Sequence, residues 1–286
     1  MKFIKFLGLI VAFLSLFSCS QTEPTSNDDQ TANPIPQLPP LKSFDKKSIA
    51  SEILAPAPDF TKIPAGAKRK QAFFNFMTPL IYYANQQILE DRKHLLSLLN
   101  KTNALTTAEQ QWLEKLAQRY KLTNFDPNQS EDRLTLQKRV DMVPIALALA
   151  QAANETAWGT SRFAKAGNNY FGQWCYQAGC GIIPRQRDED ASHEVKKFNH
   201  PFFSIQDYLR NLNTHASYQQ LRLIRYQARN SDRIPSAIEM TEGLINYSAR
   251  KEVYVKALQH MIRYNKLTRF NQYTIAEDTA SNTTSQ

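Results

Sequence analysis

Residues 144–159 read PIALALAQAANETAWG, and the interpretation of the whole chain begins from this stretch. Its alanines and leucines favour a helix, with Pro144 at the first helical position and Gly159 as a C-terminal cap. One acid, Glu155, falls in the last turn of this predicted helix. The partial negative charge at that end of a helix opposes ionisation of a carboxyl group.

Glu155 has two interpretations when it is taken alone. Most glutamates are solvated surface residues. On a helix, however, Glu155 shares a face with Gln151, Ala152 and Ala148, and such small alanines leave room for another molecule to approach. Burial against Trp158 would also raise the pKa of the Glu155 carboxyl, toward values that suit a general acid. The rest of the sequence decides between these interpretations.

The remainder of the chain predicts a mainly α protein of the α+β class with one small β insertion. A capping box over 107–110 opens the second helix, and Ser204 caps a later one. CGIIPRQ (180–186) and HEVKKF (193–198) are expected to pair as a small hairpin. Helical periodicity or cap signals place further helices over six segments: 68–101, 109–120, 131–140, the stretch after 204, 236–245 and 252–267.

The N-terminus predicts export. A positive start precedes an apolar run too short to span a bilayer, so residues 1–18 are interpreted as a signal peptide. LFSC at its end resembles a bacterial lipobox, which implies acylation of Cys19, and Ser20 after it suits outer-membrane sorting. Residues 19–45 form a polar, proline-containing tether, predicted to be disordered. The alternative is a plain signal peptide with an incidental cysteine.

The net positive charge of the chain indicates a negatively charged binding partner. The formal charge of +9 falls to +7 once Lys2 and Lys5 leave with the signal peptide. A basic surface can bind nucleic acid, but the sequence shows no base-stacking or groove-reading motif. An exported basic protein meets anionic cell-wall polymer instead. The predicted partners are therefore the cell wall and, through the lipid anchor, a membrane, with no nucleic acid.

Cys175 and Cys180 lie in CYQAGCG (175–181), a short glycine-containing loop. Because an exported protein occupies a compartment in which disulfides persist, a bridge between these two cysteines is expected. A metal site needs more ligands at matched spacing, and the four histidines of the C-terminal half show no paired spacing. Neither a metal nor a cofactor is expected.

Two motifs resemble one known family. AQAANETAWGTSRFAKAGNNYFG (150–172) resembles the glucosaminidase signature of glycoside hydrolase family 73, Ala-Gln-Ala-x-x-Glu-Ser-Gly-Trp-Gly-x-Ser followed by Asn-Asn-x-Phe-Gly. Thr156 and Ala157 replace its Ser and Gly, which are swaps between small residues. NYSARKEVYVKAL (246–258) resembles the family's Tyr-Ala-Thr-Asp-Pro-x-Tyr-Ala block, aligning Tyr247 and Tyr254. Arg250 and Lys251 depart from its Asp-Pro.

The resemblance covers roughly 144–267, and FGQWCYQAGCGIIPRQR (171–187) with the upstream helical segment is most similar to Bax-type bacterial proteins. It implies a lysozyme-like helical domain with a small β-hairpin lobe, preceded by a helical N-terminal segment. The domain prediction that follows has three parts: a helical segment over 46–140, a glucosaminidase domain over 141–270 and a polar tail over 271–286.

By this resemblance Glu155 protonates the oxygen of the leaving sugar, because an alkoxide leaves poorly. Tyr247 is expected beside the cleft, holding the acetamido group of the substrate or the reacting water; its alternative is an ordinary core tyrosine. Trp158 has an alternative role as an anchor for the end of the helix. Asn169 is expected chiefly to brace its turn. Five residues are predicted to line the substrate: Gln151, Trp158, Asn169, Phe171 and Trp174.

Glycoside hydrolysis also needs a second group, either a base or a nucleophile. Glu194 is the predicted choice, since a strand aims alternate side chains at a cleft. Asp188, Glu189 and Asp190 are the other acids of the lobe, and their sequence is typical of a solvated turn. Substrate-assisted catalysis, in which the acetamido oxygen attacks, would need no second acid.

The predicted function is therefore hydrolysis of the β-1,4 bond after N-acetylglucosamine in peptidoglycan. The enzyme would be exported and lipid-anchored, facing the periplasm from the outer membrane. Two alternatives stay open. A lytic transglycosylase also uses a lone helical glutamate, but its usual Gly-Leu-Met-Gln segment does not occur here. A non-catalytic wall-binding lipoprotein is the other.

Overall fold

A computed structural model describes residues 53–185 and 192–272. The predicted signal peptide, Cys19 and the tether precede these residues, while Asp188, Glu189 and Asp190 fall between the two ranges. The polar tail lies almost wholly after them. All of the described residues belong to one compact unit. No helix among them combines the length and apolar character needed to cross a bilayer.

The described part of the chain is mainly helical, which confirms the predicted class. Its short 3-10 turns lie at Phe60–Lys62, Ala216–Tyr218, Glu242–Leu244 and Leu267–Gln272. The α-helices are the following: α1 (Ala67–Leu99), α2 (Thr107–Arg119), α3 (Ser130–Arg139), α4 (Ile145–Thr156), α5 (Arg162–Gly167), α6 (Pro201–Thr214), α7 (Gln219–Asn230), α8 (Ala237–Thr241) and α9 (Glu252–Tyr264).

One small antiparallel sheet interrupts the helices. Its strands are β1 (Trp174–Cys175), β2 (Gly181–Ile182) and β3 (Glu194–Lys196), in the spatial order β1-β3-β2. The pairing of β2 with β3 confirms the predicted hairpin. β1 was not predicted; it pairs with the other edge of β3, placing Trp174 opposite Val195. We call this sheet and its loops the β-lobe.

The predicted helix of residues 144–159 is the centre of the main core. Residues 146–150 of α4 are fully buried, and α1, α8, α9 and the 3-10 turn at Leu267–Gln272 pack around them. Alanine side chains keep α4 narrow, so its neighbours can approach closely. Glu155 emerges where this buried helix ends.

The boundary predicted at residue 140 does not separate two cores. The first half of α1, including Phe73 and Phe74, shares the main core with α4. Its second half packs with α2 and α3 in a neighbouring apolar cluster around Leu95 and Leu113. The N-terminal helical segment is therefore built into the same folded unit as the helix that carries Glu155.

A buried ionic cluster around Asp141 joins α1, α7 and the segment that leads into α4. Arg229 donates to the Asp141 carboxylate at 2.9 Å, and Arg92 lies 3.7 Å from it. The fully buried guanidinium of Arg225 donates to three main-chain carbonyls of residues 138–142. Burial opposes ionisation of Asp141, but these arginines hold its pKa below the usual value.

Several helix ends differ from their predicted positions, and Pro144 is the N-cap of α4 rather than its first helical residue. The capping box of α2 pairs Thr106 with Glu109, one residue before the prediction. α6 begins at Pro201 with His200 as its cap, not at Ser204. α4 ends at Thr156, and the left-handed cap is Ala157, before Gly159. The turn after α4 directs Trp158 toward α1.

Candidate active site

Glu155 occupies the last turn of α4 and is partly exposed. Its Oε1 accepts hydrogen bonds from the Tyr254 hydroxyl at 2.9 Å and from Nδ2 of Asn154 at 3.2 Å. Burial raises the pKa of the Glu155 carboxyl, while the two donors and the charge of the exposed Arg250 lower it. The net direction is upward, so the carboxyl holds its proton to a higher pH than an ordinary glutamate does.

Tyr254, on α9, belongs to a buried polar group under Glu155. Nε2 of Gln151 donates to the Tyr254 oxygen at 3.0 Å, and the Tyr208 hydroxyl donates to Oε1 of Gln151 at 2.7 Å. Gln151 lies one turn before Glu155 on the same face of α4, as its spacing predicts. α4, α6 and α9 thus each contribute a side chain to this buried group, and α4 also provides Asn154.

Tyr247 packs against Tyr254, one member of this buried polar group. Its ring stacks on that of Tyr254, with centroids 5.6 Å apart and planes 5° apart. Its hydroxyl donates to the main-chain oxygen of Phe171 at 2.8 Å. Burial raises the pKa of Tyr247 well above the usual value. The two sequence motifs therefore meet in space, and Tyr247 reaches Glu155 through Tyr254.

Three residues predicted to line the substrate are buried, and these predictions are corrected. Gln151, Asn169 and Phe171 expose 0%, 1% and 2% of their surface. Phe171 stacks on Tyr208 with centroids 3.8 Å apart. Asn169 braces its turn, donating to the carbonyls of Gln173 and Lys196. These three side chains hold the site in place rather than contact a sugar.

The two tryptophans that were predicted to line the substrate have different environments. Trp158 packs edge-on against Phe73 and Phe74 of α1, with Nζ of Lys70 over its ring. It anchors the end of α4, which was its alternative interpretation. Trp174 of β1 is 55% exposed and stacks on His193 with centroids 4.2 Å apart. Of the five predicted substrate residues, Trp174 presents the most open flat surface.

Glu194 does not face an open cleft. It is 5% exposed, and its carboxylate accepts from the main-chain N–H groups of Gly179 and Gly181 at 3.0 and 2.7 Å. The predicted disulfide between Cys175 and Cys180 is present and closes the same loop. Glu194 is therefore corrected from second catalytic group to brace of this loop. The other acids of the lobe lie outside the described residues.

In residues 53–185 and 192–272, one group of side chains has the composition of a metal site, and the disulfide determines whether it can bind a metal. Cys175, Cys180 and Glu194 place their ligand atoms within 4.8 Å of one another. A metal binds a cysteine as thiolate, and both sulfurs are joined in the disulfide. These residues do not form a metal centre in this state.

A separate cavity of about 700 Å³ lies between α1, the end of α2, β3 and α6. Six charged groups line it. Arg119 binds Asp91, Lys196 and Arg210 bind Asp207 at 3.2 and 2.8 Å, and the exposed Glu90 is the sixth. The candidate acid does not line it. Asp91 and Asp207 are paired with basic side chains, so the candidate acid is the carboxyl on α4 rather than either of these two.

Sequence reasoning assigned no role to four residues of the site. Tyr254 was aligned in the second motif, which was a usable signal, and Asn154 directly precedes the acid. Gly172 is exposed and lies beside Oε2, where an added Cβ would be 3.7 Å from that oxygen. Tyr208 carries no local signal, because it lies on a separate helix, α6, which only the tertiary fold brings within hydrogen-bond distance of Gln151.

Comparisons with known proteins found a matching family model, a similar protein and a partly similar structure. The glucosaminidase family model, described as mannosyl-glycoprotein endo-beta-N-acetylglucosaminidase, matches residues 131–267. Protein bax of Escherichia coli (strain K12) is 31% identical over 231 residues, covering 80% of this chain and 81% of that protein. The crystal structure of the catalytic domain of the autolysin Auto from Listeria monocytogenes aligns with 80% of this chain and 98% of that one, at 16% identity and a TM-score of 0.39.

The family match contains α4, the β-lobe strands and α9, and so includes Glu155 and both of its hydrogen-bond donors, Asn154 and Tyr254. The similarity to protein bax extends over most of both chains, including the N-terminal helices that share the core. The protein is accordingly a glycoside hydrolase. This chain belongs to the glucosaminidase family, glycoside hydrolase family 73, as a relative of protein bax.

Proposed function

We propose that the protein is a peptidoglycan hydrolase that cleaves the β-1,4 bond after N-acetylglucosamine, with Glu155 as the general acid. One observation carries the proposal: the carboxyl of Glu155 is partly buried, has a raised pKa and is held by a donor from the second family motif. A carboxyl that stays protonated can give a proton to a leaving alkoxide, which is the demand of glycoside hydrolysis.

The proposed reaction begins with a proton transfer from Glu155 to the substrate. The proton of Glu155 passes to the glycosidic oxygen, the bond from the anomeric carbon to that oxygen breaks, and its electron pair stays with the leaving sugar. Water then supplies the new oxygen at the anomeric carbon and returns a proton. Positive charge develops on the sugar ring in between, as an oxocarbenium-like state.

The stereochemistry of the product identifies the second catalytic group, which acts on the face of the sugar opposite Glu155. Glu194 is occupied by the amides of its loop. Attack by the acetamido oxygen of the substrate gives retention at the anomeric carbon, whereas a base acting on water gives inversion. Proton NMR of the first product anomer distinguishes these routes. Inversion would direct the search to Asp188, Glu189 and Asp190.

Two features favour a wall polymer over the glycoprotein glycans named in the family description. Without Lys2 and Lys5 of the predicted signal peptide, the net charge of +9 falls to +7, which still suits an anionic polymer. Its N-terminal sequence predicts export with a lipid anchor at Cys19, and a tether that lets the domain reach the wall. We propose outer-membrane attachment facing the periplasm. Loss of membrane association in Cys19→Ala tests that placement.

The decisive experiment compares the wild-type protein with Glu155→Gln on purified cell wall. Wild type should release fragments that end in reducing N-acetylglucosamine and carry solvent oxygen, while Glu155→Gln should release none. Glu114→Gln on the exposed face of α2 is the matched control and should retain activity. Anhydro-sugar products would indicate a lytic transglycosylase. Full activity of Glu155→Gln would reject the proposal, and so would cleavage of a mannosyl glycopeptide but not of wall.

A further inference from the structure

A continuous chain of hydrogen bonds leads from the interior to the acid. The Tyr208 hydroxyl donates to Oε1 of Gln151, Nε2 of Gln151 donates to the Tyr254 oxygen, and the Tyr254 hydroxyl donates to Oε1 of Glu155. The three bonds measure 2.7, 3.0 and 2.9 Å. Every link points toward the carboxyl. We call these three supporting side chains, Tyr208, Gln151 and Tyr254, the relay.

Burial fixes the direction of the relay. Gln151 is fully buried, and Tyr208 and Tyr254 each expose 1%. Burial raises the pKa of Tyr208 and Tyr254 far above the usual value, so both stay neutral hydroxyls. With its carbonyl taken by Tyr208, Gln151 turns its amide nitrogen to Tyr254. The Tyr254 oxygen accepts there, so its single proton is directed at Glu155.

The two oxygens of Glu155 are therefore unlike each other. Oε1 accepts from Tyr254, and it also accepts from Nδ2 of Asn154 at 3.2 Å. An oxygen that faces two donors acts as the carbonyl oxygen of a neutral carboxyl group. Oε2 is on the side of the exposed Gly172, where the lack of a side chain leaves space.

We propose that Tyr254 is a positioning residue that, together with Asn154, keeps the acidic proton of Glu155 on Oε2, facing Gly172. The proposal rests on the function proposed above, in which Glu155 is the acid. The glycosidic oxygen then approaches over Gly172, and its proton is already aimed at it. Without these donors either oxygen could carry the proton, and half of the arrangements would be unproductive.

The relay also acts during proton transfer. As Oε2 loses its proton, negative charge spreads to Oε1, and hydrogen bonds to a charged oxygen are stronger than those to a neutral one. The Tyr254 bond is consequently strongest when the proton has moved. An interaction that strengthens toward the transition state raises kcat, whereas one of constant strength changes only substrate binding.

Tyr254→Phe tests this positioning role, because it keeps the ring and removes the hydroxyl. We expect kcat to fall about tenfold to a hundredfold with little change in KM, since a hydrogen bond to a charged group is lost. The donor also lowers the pKa of Glu155, so its removal should move the alkaline limb of kcat/KM to higher pH. Tyr264→Phe, an exposed change on the same helix, is the matched control and should match wild type.

A titration without substrate gives an independent readout. Carbon-13 NMR of the labelled Glu155 carboxyl should show a higher pKa in Tyr254→Phe and in Asn154→Ala than in wild type. Tyr208→Phe, at the far end of the relay, should shift it in the same direction by less. An intact Glu155 pKa and pH profile in folded Tyr254→Phe, with Glu155→Gln inactive, would overturn the positioning role alone. Activity in Glu155→Gln would overturn the assignment of the acid instead.

If Tyr254→Phe does not fold, Asn154→Ala and Tyr208→Phe test the positioning role instead. Asn154 is partly exposed, and its truncation leaves the relay intact. If Asn154→Ala and Tyr208→Phe are both folded and neither shifts the Glu155 pKa or lowers kcat, the proposed placement of the proton is wrong.

Discussion

The hydroxyl of Tyr247 and the main-chain oxygen of Phe171 are joined by a hydrogen bond of 2.8 Å, which ties the second family motif to the first. The same tyrosine ring lies parallel to that of Tyr254. Tyr247 therefore has two separable contributions, a hydrogen bond that holds the two motifs together and a stacked ring that supports the donor to Glu155.

Substitution separates these contributions. Tyr247→Phe keeps the stacked ring, so we expect a loss of stability of about 1 kcal/mol from the missing hydrogen bond and a small loss of kcat. Tyr247→Ala also removes the ring and should cost about 3–5 kcal/mol. Its kcat should fall more, because Tyr254 loses its support. Thermal unfolding and wall-digestion kinetics measure both. Equal kcat in the two variants would show that stacking does not matter to the acid.

The pKa of Glu155 predicts that the acid destabilises the fold at neutral pH. Its folded-state pKa is raised, so the stabilising contribution is present below the unfolded value and is lost as pH rises through the folded value. Glu155→Gln has no charge to desolvate, and its side-chain oxygen can still accept from Tyr254. We therefore expect the Tm of Glu155→Gln to exceed that of wild type at pH 7.

The same difference in Tm should shrink as the pH is lowered, because the wild-type carboxyl then becomes neutral as well. Calorimetric scans from pH 4 to pH 8 measure it, with Glu114→Gln as the exposed control. A Tm difference that does not depend on pH would contradict a raised pKa at Glu155.

The sequence predicted the elements whose signals are local. α4 and its acid, the long α1 and the pairing of β2 with β3 depend on composition, periodicity and turn residues within one segment. α7 was not among the predicted helices, because two of its inward side chains, Arg222 and Arg225, are arginines. They donate to main-chain carbonyls and so replace part of the apolar stripe that marks a buried face.

The roles of Ser204, Glu194 and Tyr208 were misassigned or missed for a different reason. Ser204 has the composition of a helix cap, yet it is fully buried and links the Tyr170 N–H to the Gln173 side chain. Glu194 was placed on its strand correctly, but its carboxylate accepts from main-chain N–H groups of the disulfide-closed loop and of Gly181 at the start of β2. Tyr208 acquires its role through the packing of separate helices. Long-range contacts of this kind leave no periodic trace in one sequence.

The assignment of Glu194 as a brace predicts a structural phenotype. A glutamine has one acceptor oxygen and cannot accept from the N–H groups of both Gly179 and Gly181 through two carboxylate oxygens. Glu194→Gln should therefore increase amide hydrogen exchange over 174–181 while the helical core keeps its protection. Cys175→Ser with Cys180→Ser should resemble it, since closing so short a loop contributes about 2 kcal/mol.

Kinetics distinguish a brace from a catalytic base at this position. Removing a general base lowers kcat by about 10²–10⁴-fold. For Glu194→Gln we expect a far smaller loss once the folded fraction is taken into account. A loss of that catalytic size, in a variant whose β-lobe retains normal hydrogen exchange, would return Glu194 to the reaction.

Gly159 and Phe60 provide a prediction about how α4 is anchored. A Cβ at Gly159 would lie 2.3 Å from Cδ2 of Phe60, and the φ of Gly159 is +79°. Gly159→Ala combines a clash with backbone strain. Gly179 also has a φ of +79°, but nothing lies within 4 Å of its added Cβ. Gly179→Ala is therefore the matched control for strain alone.

We expect Gly159→Ala to lose stability beyond that of Gly179→Ala by about 1–3 kcal/mol, the usual cost of overpacking a core. Because the turn carries Trp158 and follows directly after Glu155, Gly159→Ala should also lower kcat. Phe60→Leu in the Gly159→Ala background should recover part of both losses by making room for the added methyl group. Denaturant unfolding and wall digestion measure them. Equal destabilisation by the two alanine substitutions would show that Phe60 yields freely and does not fix the end of α4.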